Sequence, residues 1–156
     1  MEQVEILLVE DSPEDAELTI RELRRSKIAN NIQVAQDGAE ALDFLFCRGS
    51  YGDRDSLHPP KLVLLDLKLP KIGGLEVLRA IRADERTRTI PVVVLTSSKE
   101  ERDRIDGYNL GVNGYAQKPV DFDQFSETIR RIGMFWILVN QPPPTAAFVA
   151  SKAQGA

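Results

Sequence analysis

The stretch KLVLLDLKLPKIGG, residues 61 to 74, decides the fold. Leu62, Val63, Leu64 and Leu65 are apolar without alternation, the pattern of a strand buried on both faces, as in parallel sheets covered by helices. Asp66 follows at once. A carboxylate is costly there unless it sits at the open end of the strand or has a cation beside it. After the glycine pair, Leu75, Leu78 and Ile81 keep helical spacing and predict a helix over residues 74–83.

The same strand-then-helix unit recurs on either side. Ile6 to Val9 read as a buried strand, and Asp11-Ser12-Pro13 is a helix-start signal ahead of Leu18 and Leu23. Residues 32–35 make a short second strand, and residues 39–47 a second helix with Ala41, Leu42, Leu45 and Phe46. Between Arg48 and Pro60 the text turns to Gly, Ser, Asp and Pro, a loop long enough to suggest a special role. Residues 92–95 predict a fourth strand, 99–110 a fourth helix, and 112–116 a fifth strand, and a last helix runs from Asp121.

Five strands alternating with five helices imply a parallel sheet with helices on both faces, because parallel neighbours need right-handed crossovers. The fold class is therefore a flavodoxin-like doubly wound α/β fold, a (βα)5 unit with strand order 2-1-3-4-5. Functional groups in such sheets gather beyond the carboxyl ends of the strands, near the point where strand order reverses.

Composition narrows the function. A net charge of −4 argues against a general nucleic-acid surface, and the RELRR stretch at 21–25 reads as a solvated helix face. The acidic N-terminus enters an apolar run of only four residues, resembling neither a secretory signal nor a membrane span, so a cytoplasmic protein is expected. Cys47 is the only cysteine and cannot pair within the chain; beside Leu45 and Phe46 it reads as a small helix-end hydrophobe.

The strand ends carry the chemistry. The first ends in Glu10-Asp11, the third in Asp66, the fourth in Thr96-Ser97, and Lys118-Pro119 follows the fifth. Three carboxylates crowded on one rim repel one another unless a divalent cation holds them, and Mg²⁺, hard and oxygen-seeking, fits best. Lys118 can bind a phosphate oxygen as a point charge, and the Thr96 hydroxyl can donate to another. Together these groups make a phosphoryl-acceptor site in which Asp66 attacks phosphorus in line.

ILLVEDSPED, LVLLDLKLPKIGGLEVL, IPVVVLTSS and GVNGYAQKPVDFDQF, in that order and spacing, resemble the receiver domain of two-component response regulators across about residues 3 to 140. The resemblance implies that Asp66 takes its phosphoryl group from a phosphohistidine of a sensor histidine kinase. It implies Mg²⁺ ligated by Asp11, Asp66 and the backbone carbonyl of Lys68, with Glu10 acting through water, and Thr96 and Lys118 binding the phosphoryl group. It also implies a cis Lys118–Pro119 peptide, slow self-hydrolysis tuned by Lys68 and Ser98, and a switch in which Thr96 moves and Tyr115 turns inward. The loop CRGSYGDRDSLHPP is similar to the insertion in single-domain regulators paired with bacterial phytochromes and related kinases. Ile72-Gly73 departs from the Met-Asp or Met-Pro pair of many relatives and bears on the turn more than on the chemistry.

Along the last helix Phe122, Phe125, Ile129, Ile132, Trp136 and Val139 form one apolar stripe, and Met134, Phe135, Ile137 and Leu138 add apolar groups on other faces. A helix greasy nearly all round needs a second cover. A homodimer is expected through the face of the fourth helix, fifth strand and fifth helix, with Phe135, Trp136 and Leu138 contributing. The Pro- and Ala-rich residues 141–156 read as a flexible tail after a receiver domain of residues 1–140, with no DNA-binding segment, so output is expected through protein contacts or phosphorelay.

Two rival readings each meet a residue that opposes them. An aspartate-nucleophile phosphohydrolase of the haloacid-dehalogenase type needs a second aspartate two positions after the nucleophile, where this chain has Lys68. A flavodoxin-like binding module needs a Ser/Thr-rich phosphate loop after the first strand, where this chain has an acidic pair.

Overall fold

The computed structural model describes residues 3–144. Of the expected tail, residues 145–156 lie outside the described residues. Five parallel strands, β1 (Ile6–Val9), β2 (Ile32–Ala35), β3 (Leu62–Leu65), β4 (Val92–Thr96) and β5 (Gly114–Gln117), stand in the order β2-β1-β3-β4-β5. Between and after them run α1 (Pro13–Arg25), α2 (Gly38–Leu45), α3 (Gly74–Ala83), α4 (Glu101–Asn109) and α5 (Phe122–Gly133). The expected strand order and alternation are both present. β1, β3 and β4 are buried along their whole length, as their unbroken apolar runs require.

The sheet separates two apolar layers. On one side Leu7, Val9, Val63, Leu65, Val92 and Val94 meet Phe44 of α2 and Val77, Leu78 and Ile81 of α3. On the other Ile6, Leu8, Leu62, Leu64, Val93 and Leu95 meet Leu23 of α1 and Phe125 and Ile129 of α5. Alternate residues of one strand thus feed opposite layers. In register, Val9 stands beside Leu65, and Leu65 beside Val94. That alignment brings the residues following β1 and β3 to the same rim as the end of β4.

Local chemistry moves some boundaries by one or two residues. α2 begins at Gly38 because the Asp37 side chain accepts the Glu40 N–H, and it ends before Cys47, whose φ of 55° cannot continue a helix. α4 begins at Glu101, after the Glu100 N–H has bonded to Ser98 Oγ. β5 starts at Gly114 because the Val112 N–H closes the end of α4 on the Gly107 carbonyl.

The apolar stripe of the last helix is the larger correction. Phe125 and Ile129 are buried as expected, but Phe122 and Val139 are more than half exposed, and Ile137 is buried. For Ile137 and Val139 the cause is a π-helix over Met134–Val139, whose wider turn shifts the phase of the apolar positions, whereas Phe122 is the first residue of α5 and stands at its open end. Gly133, at the junction, packs so closely on α1 that an added Cβ would lie 2.6 Å from Leu23 Cδ2.

Candidate functional site

Asp66 is the first residue past β3, and only 5 % exposed. Two donors hold one of its carboxylate oxygens: the Thr96 hydroxyl at 2.9 Å and the Lys68 N–H at 3.1 Å, both to Oδ1. The other oxygen, Oδ2, accepts from Lys118 Nζ at 2.8 Å. Each donor comes from a different piece of the rim: Thr96 ends β4, Lys68 lies in the β3–α3 loop, and Lys118 follows β5. α3 starts hard against Asp66, since an added Cβ on Gly74 would lie 2.3 Å from the Asp66 carbonyl oxygen, so only glycine fits there.

Lys118 lies within reach of three carboxylates. Besides Asp66 it donates to Glu10 Oε1 at 2.5 Å and to Asp15 Oδ2 at 3.0 Å. Burial disfavours its ammonium, but the hydrogen bonds to Asp66, Glu10 and Asp15 outweigh that and raise its pKa. Burial pushes Glu10 up to about 7, against the hydrogen bond and charge of Lys118, and the Asp66 charge adds to the rise. One ammonium therefore serves a group of anions that it cannot fully neutralise.

Glu10, Asp11 and Asp66 each offer a carboxylate oxygen, and these oxygens lie within 4.8 Å of one another. An all-oxygen set with one exposed member, Asp11, suits a hard divalent cation that retains water. The donor chemistry thus fits the metal that the sequence implies.

Thr96 Oγ1 also accepts the Ser98 N–H at 3.3 Å, and Ser98 Oγ donates to Asp103 Oδ2 at 2.7 Å, joining Asp66 to the first turn of α4. Tyr115 stacks beside Tyr108 at 6.4 Å between ring centroids, with its hydroxyl buried and without a hydrogen-bond partner among the described residues. Burial and the nearby Asp103 charge raise its pKa.

The expected cis peptide is not present. Among the described residues no peptide bond is cis, so Lys118–Pro119 is trans, the isomer that X–Pro bonds favour by about 0.5–1 kcal/mol. The Lys118 N–H donates to the Thr96 carbonyl at 2.7 Å, so pairing with β4 fixes Lys118 before the proline is reached.

Asp15 is the site residue that the sequence reading missed. Position three of a helix normally serves the helix's own start, and nothing in SPED alone directs that carboxylate to a lysine more than 100 residues away. The usable signal was Glu10, a second acceptor placed to take over the cap's own N–H.

The sequence model of the response regulator receiver domain matches residues 6–130. The chain belongs to this family. This receiver is 40 % identical over 132 residues to the response regulator Rcp1 of Synechocystis, covering 85 % of this chain and 88 % of Rcp1. The crystal structure of the Mn²⁺-bound form of Rcp1 superposes with a TM-score of 0.84 at 39 % identity, covering 91 % of this chain and 99 % of that one. That of the phosphorylated cyanobacterial phytochrome response regulator RcpA also gives 0.84, at 36 % identity and the same coverage, 91 % and 99 %. The bacteriophytochrome response regulator AtBRR is 51 % identical, with a TM-score of 0.69 and coverage of 90 % and 100 %. The receiver and its relatives share the flavodoxin-like fold. Among the described residues no helix is long and apolar enough to cross a membrane.

Proposed function

We propose that this receiver works in the cytoplasm and accepts a phosphoryl group on Asp66 from a phosphohistidine of a sensor histidine kinase of the phytochrome type. The observation that carries this reading is the convergence of Thr96 and Lys118 on the two oxygens of a buried Asp66 beside an acidic pair. An Asp66 oxygen forms the new bond to phosphorus, the bond from phosphorus to the imidazole nitrogen breaks, and its electron pair stays on that nitrogen. Asp11, Asp66 and the Lys68 carbonyl would hold Mg²⁺, with Glu10 acting through water. That ion supplies positive charge to the phosphoryl oxygens.

Lys118 stays beside the transferred group and neutralises one oxygen, while the Thr96 hydroxyl turns from Asp66 to another. Moving Thr96 disturbs Ser98 and, through Asp103, the start of α4. Tyr115, packed against Tyr108 of α4, reads that change on the α4–β5–α5 face. Lys68 and Ser98, two positions after Asp66 and after Thr96, set how slowly water removes the group.

The same reading gives a homodimer through that face. Ile105 and Tyr108 of α4 and Phe135 and Leu138 of the π-helix are each more than 40 % exposed, a large apolar exposure for a surface without a partner. Trp136 is half-buried against the core and supports Phe135 edge-on at 5.0 Å. Incubation with Mg²⁺ and acetyl phosphate tests the acceptor: one phosphoryl group is gained by mass, and none by Asp66→Asn. Unmodified wild-type protein would overturn the assignment. Sedimentation at tens of micromolar tests the dimer, which a monomeric mass with and without a phosphoryl mimic would refute.

A further inference from the structure

The start of α1 is built in a way that leaves one carboxylate over. Ser12 caps the helix by accepting the Asp15 N–H on Oγ at 3.3 Å. In a capping box the acidic side chain at the third helical position returns to the cap's own N–H. Here Glu10 Oε2 has taken that N–H, at 3.2 Å. The Asp15 backbone is fixed, because its carbonyl accepts the hydroxyl of buried Thr19 at 2.7 Å. Its carboxylate is free to reach Lys118 Nζ.

An ammonium has three donors, and Glu10, Asp15 and Asp66 occupy all three. A phosphoryl group on Asp66 brings about −1.5 to −2 of charge and three acceptor oxygens to the same ammonium. For Lys118 to follow it, a contact must loosen. Glu10 is 5 % exposed, and releasing it would leave a buried carboxylate unpaired, whereas the Asp15 side chain is 34 % exposed and can turn to water. It opens onto a groove of about 520 Å³ between α1 and the segment after β5, lined also by Leu18, Pro119 and Phe122.

We propose that Asp15 is a positioning residue that holds Lys118 while Asp66 is unmodified and competes with the phosphoryl oxygens for its ammonium. This inference rests on Asp66 being the acceptor, and the experiment separates the two. Beryllofluoride binding at saturating Mg²⁺ is measured by titration calorimetry for wild type, Asp66→Asn, Asp15→Asn, Asp15→Ala and Glu14→Gln. Glu14→Gln removes a neighbouring charge that has no contact with Lys118.

Wild type binds the mimic and Asp66→Asn does not. Both Asp15 variants bind it roughly two- to five-fold tighter, the span expected for losing one partly exposed ion pair, and Glu14→Gln matches wild type. A wild-type protein that ignores the mimic sinks the acceptor assignment and this inference with it. If wild type binds and either folded Asp15 variant binds no tighter, or Glu14→Gln gains equally, the competition alone is refuted.

Discussion

Lys118 Nζ and Asp66 Oδ2 lie 2.8 Å apart although 52 residues separate them in the chain, and both side chains are more than nine-tenths buried. Burying one ammonium with a group of carboxylates sets the energetics of the rim. The pair is favourable only while each charge has its partner, and the anions beyond the first add repulsion. The resting site is therefore held in tension that a divalent cation relieves.

Asp11 is the member of the cluster that is exposed and has no ion-pair partner among the described residues. Asp11→Asn should therefore stabilise the protein in chelator, by up to about 1 kcal/mol, because it removes repulsion without breaking a pair. It should also abolish the gain in stability that Mg²⁺ gives wild type by mass action. Urea unfolding with chelator and with Mg²⁺ reads both effects, and a variant less stable than wild type in chelator would contradict this account.

Lys118→Met has the opposite sign. It leaves Glu10 and Asp66 buried with no cation, a loss of about 3 kcal/mol in chelator for a pair broken from one side. Mg²⁺ should recover part of that loss, since the acidic pair and Asp66 remain to bind it. Equal stability of the variant and wild type in chelator would mean that the ammonium does not hold the rim together.

Asp66, Glu10, Thr96 and Lys118 were legible in the sequence because each ends or directly follows a strand, and parallel register alone carries all four to one rim. Asp15 was not, because helical position three has a local use that hides a long-range one. The π-helix escaped for a different reason: MFWILV is apolar at every position, and a run without alternation carries no period from which to read a phase. The trans Lys118–Pro119 bond departs from an expectation that rested on family resemblance and not on any physical feature of QKPV.

The long loop before β3 is tied to α2 by Arg54, which donates to the Phe44 carbonyl, and by the Tyr51 phenol. Tyr51 OH donates to Glu40 Oε2 at 2.6 Å and accepts from Gln33 Nε2 at 3.1 Å, and burial, then the Glu40 hydrogen bond, push its pKa from 10.0 to about 12. A pKa raised on folding means that the neutral phenol is favoured in the native state. Its contribution is complete below pH 10 and is lost as pH rises through 12. The difference in urea midpoint between wild type and Tyr51→Phe should thus be constant up to about pH 10 and shrink above it. A difference that stays flat to pH 12 would show that the phenol titrates normally.

Two adjacent glycines precede and open α3, and they should behave differently. An added Cβ at Gly74 would meet the Asp66 carbonyl oxygen at 2.3 Å and Leu67 Cα at 2.6 Å, both backbone atoms that cannot swing away. At Gly73 nothing lies within 4 Å, and its φ of −68° suits any residue. Gly74→Ala should cost about 1–3 kcal/mol, as overpacking does, and should slow phosphorylation by acetyl phosphate, because the displaced backbone is that of the acceptor itself. Gly73→Ala should change stability by less than about 1 kcal/mol, because the stiffer unfolded chain offsets the poorer fit of alanine at the helix N-cap, with the phosphorylation rate unchanged. Unfolding free energies and initial rates for the two variants side by side decide it, and equal behaviour would mean that α3 does not set the position of Asp66.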